Sequence, residues 1–123
     1  MNPFSAAIHN NLGVALTKQG RFDDAIRHYR EALRIDPEYR SARHSVGFAL
    51  ARQGRLDEAI RNFSRALRLN SGYAEVHNNL GIALARKGKL EGAEVHFKEA
   101  LRIRPGFVGA RNNLKKILAA RVK

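Results

Sequence analysis

Apolar residues recur along the chain with the spacing of amphipathic helices. Leu12, Ala15 and Leu16 stand at positions i, i+3 and i+4, and the same spacing resumes at Ile26 and Tyr29 after a short break. Residues spaced in this way lie on one face of a helix. The pattern therefore predicts two amphipathic helices separated by a turn.

The break between the two predicted helices spans residues 18–23. Gly20 suits the left-handed backbone position that follows a helix C-terminus. Asp23 suits an N-cap, whose side chain accepts hydrogen bonds from free backbone N–H groups. The second helix is therefore expected to fold back on the first.

This two-helix pattern repeats with a period of 34 residues. The sequence from His9 to Gly13 reappears unchanged from His77 to Gly81, and Gly47 falls halfway between the two copies. The period divides the chain into three full units and the start of a fourth. Their bounds are 6–39, 40–73, 74–107 and 108–123.

Each first helix carries an internal glycine, and each second helix carries an aromatic residue in phase. Glycine inside a helix costs about 0.5 to 1 kcal/mol relative to alanine. We therefore expect close approach of the paired helix backbone at these glycines, and a buried position for the aromatic rings. The residues are Gly13, Gly47, Gly81, Tyr29, Phe63 and Phe97.

The arrangement resembles the tetratricopeptide repeat (TPR) family. That family's pattern of Leu-Gly, a turn Gly, Ala followed four residues later by an aromatic, Ala-Leu and a closing Pro is matched here. Unit one shows it as Leu12-Gly13, Gly20, Ala25 with Tyr29, Ala32-Leu33 and Pro37. The resemblance covers 6–107 fully and 108–123 partly. It implies one all-α domain over 1–123, a right-handed superhelix of helical hairpins with seven helices.

The resemblance further implies a non-enzymatic scaffold that binds a protein or peptide segment in a concave groove lined by the first helices. Family members that clamp a C-terminal carboxylate carry asparagine in the column of Val14, Phe48 and Ile82. They also carry lysine or arginine in the column of Asn10, His44 and Asn78. That pattern is absent here, so we do not expect a carboxylate clamp.

Four columns of the first helices are expected to face the groove. Side-chain amides can donate to and accept from a peptide backbone, an apolar strip can hold side chains, and a basic lip favours acidic flanks. The predicted groove residues are Asn10, Asn11, Val14, Lys18, His44, Ser45, Phe48, Arg52, Asn78, Asn79, Ile82, Arg86, Asn112 and Asn113. Two alternatives stay open: the asparagines are structural, and the strip packs against neighbouring helices.

The last segment, 108–123, is expected to cap the array. Lys115 occupies the glycine column, where it would obstruct a following helix but is harmless at an end. We expect an apolar stripe of this helix to cover the third unit. Its members are Val108, Leu114, Ile117, Leu118 and Val122.

Charge is the main compositional feature, with 23 basic and 11 acidic residues and a net charge of +12. The surplus lies in units two and three and in the cap, which favours acidic partners. A nucleic-acid-associated basic module is the alternative function. It is less favoured because the aromatic rings fall on core columns and leave no stacking platform.

Candidate chemistry is sparse. The chain has no cysteine, and no two of its five histidines stand three or four residues apart, so the sequence predicts no local metal pair. Asp23-Asp24 and Asp57-Glu58 recur at the start of second helices, where negative charge is stabilising. We expect no catalytic residue, cofactor or metal.

No apolar run approaches the roughly 18 residues of a membrane span, and residues 1–5 lack the layout of a signal peptide. We expect a cytoplasmic protein without membrane insertion. Self-association stays open, as does a designed or excised repeat array that has no native partner.

Overall fold

The structure is a computed structural model that describes residues 5–122, and these residues form seven α-helices. Residues 1–4 and 123 of the expected domain lie outside the described residues. The helices are α1 Ser5–Lys18, α2 Phe22–Ile35, α3 Arg40–Arg52, α4 Leu56–Leu69, α5 Ala74–Arg86, α6 Leu90–Ile103 and α7 Val108–Arg121. Each odd-numbered helix up to α5 packs most extensively on the helix that follows it. The three hairpins stack into a right-handed superhelix, as expected.

The contact between the two helices of each unit is an aromatic ring lying on a glycine. A Cβ added to Gly47 would lie 2.7 Å from Cε1 of Phe63, and one added to Gly81 would lie 2.6 Å from Cε1 of Phe97. Both rings are fully buried. The sequence suggested that the backbone of the paired helix approaches the glycine, but the space is filled by a side chain instead.

The turn between the two helices of each unit contains a glycine in the left-handed conformation, as expected. Gly20 has φ of +78°, and the Arg21 N–H donates to the carbonyl oxygen of Leu16 at 2.9 Å. The Gly20 N–H donates to the carbonyl oxygen of Thr17 at 3.0 Å. This pair of bonds is the Schellman motif, which satisfies the last carbonyls of a helix. Gly54 and Gly88 repeat it with φ of +82°.

The expected N-cap role of Asp23 is wrong. Helix α2 begins at Phe22, and the residue before it, Arg21, makes no side-chain cap hydrogen bond. One residue after the left-handed glycine suffices to start the helix, which places Asp23 and Asp24 inside its first turn. Their negative charge complements the helix dipole there, and Asp24 also pairs with Arg21 and Arg27.

The turn that closes unit two forms without proline, as the sequence required. In this turn Asn70 Oδ1 accepts a hydrogen bond from the Gly72 N–H at 3.1 Å. In the Pro37-containing turn of unit one, Asp36 Oδ1 accepts from the Glu38 N–H at 3.2 Å. In both turns a side-chain oxygen accepts a hydrogen bond from the backbone N–H of the residue two positions later. Such a bond stabilises a turn whether or not proline is present.

The cap packs through a narrower stripe than expected. Ile117 is 6% exposed and, with Leu114, packs against Phe97 of the third unit. Val108, Leu118 and Val122 are instead exposed, so their predicted contact with the third unit is wrong. A single helix presents one stripe to its neighbour, and these three side chains lie off the stripe that contains Leu114 and Ile117.

We predict that Gly47→Ala destabilises the protein because its methyl group would overlap the Phe63 ring. Overpacking of this kind typically costs about 1 to 3 kcal/mol. Gly109→Ala is the matched control, since its Cβ would lie 3.5 Å from the Phe107 ring, an ordinary contact. Urea unfolding measures both free energies. Equal stabilities for the two variants would contradict the ring-on-glycine account.

We also predict that Ile117→Ala and Leu118→Ala, at adjacent cap positions, differ in effect. Ile117 is buried against unit three while Leu118 is 42% exposed. Truncating a buried isoleucine costs about 2 to 5 kcal/mol, whereas exposed changes usually stay within about 0.5 kcal/mol. Thermal melting compares them, and a larger loss for Leu118→Ala would show that the helix packs by a different face.

Candidate functional site

A cleft of about 410 Å³ opens between the first helices of the three units. Eight of its nine lining residues belong to α1, α3 and α5. Six of the predicted groove residues come together in it. The lining is Val14, Thr17, Lys18, Tyr29, His44, Ser45, Phe48, Glu75 and Asn79.

Tyr29 forms the floor of the cleft. Its ring is buried against Gly13, and its hydroxyl lies 2.9 Å from Thr17 Oγ1. Burial raises the pKa of Tyr29, and hydrogen bonds with Thr17 and Ser45 lower it by less. The phenol is therefore neutral in the physiological range and links the core of unit one to the polar wall of the cleft.

The predicted apolar strip, which consists of Val14, Phe48 and Ile82, is partly exposed to solvent. Phe48 and Ile82 each keep 36% of their surface exposed, and Val14 is half-buried. Val14 packs against the core, and Val14 and Phe48 line the cleft, whereas Ile82 lies outside its lining. Packing against neighbouring helices therefore accounts for only a share of the strip. The remaining surface is free to contact a ligand.

The predicted basic lip of the groove consists of Lys18, Arg52 and Arg86. Contacts within the protein hold two of these cations, Arg52 and Arg86, in place. The Arg52 guanidinium lies 5.3 Å from the ring centroid of Phe22 and 5.9 Å from that of Phe48. Arg86 Nη1 donates to the carbonyl oxygen of Ala51 at 2.9 Å. Cations over aromatic faces are attracted by the ring quadrupole. Positive charge is thereby fixed beside the apolar strip.

His44 bridges two units inside the cleft. Its Nε2 accepts from Asn79 Nδ2 at 2.8 Å, which leaves Nδ1 to donate to the Tyr73 hydroxyl at 3.0 Å. Burial lowers the pKa of His44, and the charge of Glu75 raises it by less. The neutral ring fits this network because protonation of Nε2 would leave two donors facing each other.

The asparagine columns differ in how much surface they offer. Asn10 and Asn78 are 7% and 8% exposed, and Asn78 Oδ1 accepts from Asn113 Nδ2 at 3.1 Å. Asn11 and Asn112 are exposed. The first column thus lies mainly between successive first helices, and only part of the amide set remains open to a peptide backbone.

Glu75 lines the cleft but was not among the predicted groove residues. It stands four residues before Asn79, and this spacing places both side chains on the same face of α5. The spacing alone was sufficient to find it. Its carboxylate also lies 3.4 Å from Nη2 of Arg104.

The sequence analysis did not predict two histidine pairs, because each pair joins the two helices of a hairpin. The Nδ1 atoms of His9 and His28 lie 3.0 Å apart, and so do those of His77 and His96. Each pair joins a first helix to its second helix at a separation of 19 residues. Residues 5–122 contain no cluster of three or more His, Asp or Glu side chains that could hold a metal ion.

Two profiles of the tetratricopeptide repeat match the sequence, over residues 6–39 and 38–106. The chain belongs to the tetratricopeptide repeat family. Three full repeats and a capping helix account for its seven described helices. Comparison with curated protein sequences gave no significant match.

Solved tetratricopeptide structures superpose closely on the chain. The first TPR of Spaghetti (RPAP3), bound to the HSP90 peptide SRMEEVD, has a TM-score of 0.95 at 27% identity and covers 97% of this chain and 94% of its own. The first TPR domain of human RPAP3 also scores 0.95 at 27% identity, covering 98% and 95%. MamA, at 23% identity and a TM-score of 0.92, covers 98% of this chain and 70% of its own and supports the fold alone.

None of the helices within residues 5–122 is long and apolar enough to cross a membrane. A cytoplasmic location stays a prediction.

We predict that stability falls as the pH drops from about 7 to 5, because two partly buried histidines favour the neutral form. Burial lowers the pKa of His44, and burial followed by the charge of His77 lowers the pKa of His96. The unfolded chain therefore takes up these protons first, just below the ordinary histidine value of 6.5. Glutamates such as Glu99 have a lowered pKa, so they lose their contribution only at lower pH, below 4.5.

Urea unfolding between pH 7.5 and 5 tests this prediction. The variant His44→Asn with His96→Asn adopts residues found at the same positions in other units, Asn78 and Asn62. It should flatten the pH dependence of the free energy of unfolding. A decline of the same size in the double variant would assign the effect to other groups.

Proposed function

We propose that the chain is a non-enzymatic scaffold that binds an extended peptide segment in the groove of its first helices. One observation carries the proposal: the cleft brings Val14 and Phe48 of the half-open apolar strip together with polar side chains and a lysine on α1, α3 and α5. Relatives of the same fold support a peptide partner, since the Spaghetti domain is solved with an HSP90 peptide.

The groove is suited to a short segment. Helices packed about 8 to 10 Å apart place four first helices over roughly 30 Å, which matches about nine extended residues at 3.3 Å each. Asn11, Asn79 and Asn113 would hold the peptide backbone, while Val14 and Phe48 would take apolar side chains. These assignments follow from their positions along the first helices.

The ligand should combine apolar and acidic residues. Lys18, Arg52 and Arg86 bring positive charge to the lip, and Glu75 is the acidic residue in the lining of the cleft. Exposed ion pairs contribute about 0 to 1 kcal/mol each and are screened by salt. Affinity should therefore come mainly from the apolar strip, and the lip should raise the association rate.

Recognition of a free C-terminal carboxylate is not part of the proposal. Val14, Phe48 and Ile82 provide no hydrogen-bond donors in the column where clamp-type relatives place asparagine. His44, which stands where those relatives carry a cation, is a neutral ring already engaged with Tyr73 and Asn79. The peptide SRMEEVD is a direct probe of this point, since amidating its C-terminus should change its binding little.

We predict that Phe48→Ala with Ile82→Ala weakens binding of a groove peptide by roughly tenfold to a hundredfold, since each change removes apolar contact area. The probe is a nine-residue peptide selected from a random displayed library on the native chain and titrated by fluorescence anisotropy. Val95→Ala is the matched control, because Val95 is an exposed apolar residue on the second helix α6. It should bind like the native chain.

The same titration at increasing salt separates groove binding from a basic-surface function. The groove account expects a modest salt effect and a large effect of the double variant. A steep log-log decline of affinity with salt, together with normal binding by the double variant, would contradict it. That outcome would favour the nucleic-acid-associated alternative.

A further inference from the structure

A second recess lies at the junction of units one and two and shares no lining residue with the groove cleft. Its volume is about 260 Å³, several times the roughly 30 Å³ that a water molecule occupies in the liquid. The turn between α2 and α3, helix α3 and the C-terminal part of α4 form its walls. They contribute Pro37, Glu38, Arg43, Arg65, Arg68 and Leu69.

In the two outer units, a glutamate pairs with the arginine that corresponds to Arg68. In unit one, Arg34 Nε donates to Glu31 Oε1 at 2.8 Å, and in unit three Arg102 Nε donates to Glu99 Oε1 at 2.8 Å. The middle unit has Arg65 in place of that glutamate. One carboxylate of the repeating pattern has thus become a cation.

A second substitution adds to the charge of the recess. Arg43 stands in the column of His9 and His77, each of which pairs with a second histidine in its own unit. None of the ion pairs within residues 5–122 includes Arg43, Arg65 or Arg68. Three guanidinium groups therefore line one recess without a protein carboxylate bound to any of them.

Arg43 is the innermost of these cations. Its Nε is buried and has no hydrogen-bond acceptor, and its Nη1 donates to Asn62 Oδ1 at 3.3 Å. Burial lowers the pKa of Arg43, and the nearby charge of Arg65 lowers it further. The Nε–H of Arg43 is therefore a charge-assisted donor that no protein acceptor within residues 5–122 uses.

The helix dipole explains only one of the three arginines. Cations are favoured in the last turn of a helix, and Arg68 recurs there in phase with Arg34 and Arg102. Arg43 lies in the first turn of α3, where the dipole disfavours a cation. Arg65 departs from the glutamate of the outer units, and arginine recurs in the column of Arg43 only in the cap, at Arg111, so the convergence of Arg43 and Arg65 is specific to unit two.

We propose that this recess binds a doubly charged phosphate group. Its three arginines and Glu38 leave a net charge of about two, which matches the −1.5 to −2 of a phosphate monoester near pH 7. A carboxylate carries half that charge. The planar guanidinium fork also suits phosphate oxygens, because it donates two parallel hydrogen bonds.

The test titrates inorganic phosphate into the native chain at constant ionic strength, with chloride and acetate as reference anions. Nuclear magnetic resonance of the arginine Nε–H and backbone amide groups reports the site. Phosphate should give saturable shifts confined to 37–43 and 62–69, while chloride and acetate at the same ionic strength should not.

Arg65→Glu recreates the glutamate of the outer units next to Arg68, so it should fold and should weaken phosphate binding by at least about tenfold. Arg111→Glu is the matched control. It makes the same charge change in the column of Arg43, on the exposed face of the cap, and should bind phosphate as the native chain does. Arg68→Gln provides a second site variant with a smaller change in charge.

Phosphoserine and glycerol 3-phosphate are both phosphate monoesters, and competition by them with inorganic phosphate supports the site. Shifts that fail to saturate, shifts that chloride reproduces, or equal binding by Arg65→Glu and Arg111→Glu would overturn the proposal.

Discussion

Each repeat depends on an aromatic ring of the second helix lying where the first helix has no side chain. Tyr29, Phe63 and Phe97 fill the space above Gly13, Gly47 and Gly81, and all three rings are buried. The burial of a large ring offsets the propensity cost of glycine within the helix. Close contact between the two helices of a hairpin follows directly from this pairing.

The same contact orients the residue that follows each glycine. A residue next to the glycine is rotated by about 100° around the helix, since a helix has 3.6 residues per turn. Val14, Phe48 and Ile82 are those neighbours, and they keep part of their surface open. The partly open apolar strip is therefore a geometric consequence of the hairpin contact.

Features that repeat in phase were predictable from sequence. The 34-residue period, the helices, the glycine turns and the aromatic core follow from local spacing and repetition, and the structure has each of them. Asp23 was misplaced because the spacing did not show that the glycine turn needs a single residue, Arg21, before α2 begins. The sequence predicted contact of Val108, Leu118 and Val122 with the third unit because these side chains are apolar. Apolar side chains are also found exposed on protein surfaces, and these three are exposed.

Contacts between columns were not predictable from spacing within a helix. The histidine pairs, the bridge from His44 to Asn79 and the arginine recess all join different helices, at separations of 19 to 35 residues. They depend on how the helices pack against one another, which the spacing within a helix does not specify. Departures from the repeat, such as Arg65 in place of a glutamate, were present in the sequence but had no meaning until their neighbours were known.

The central claim is that the apolar strip of the first helices contacts the bound segment. Intermolecular nuclear Overhauser effects between a selected, isotopically unlabelled nine-residue peptide and the methyl-labelled chain measure this contact directly. The account predicts cross-peaks from the methyl groups of Val14 and Ile82 to apolar side chains of the peptide. Cross-peaks confined to outer-face methyl groups such as those of Val95, with none from the strip, would contradict it.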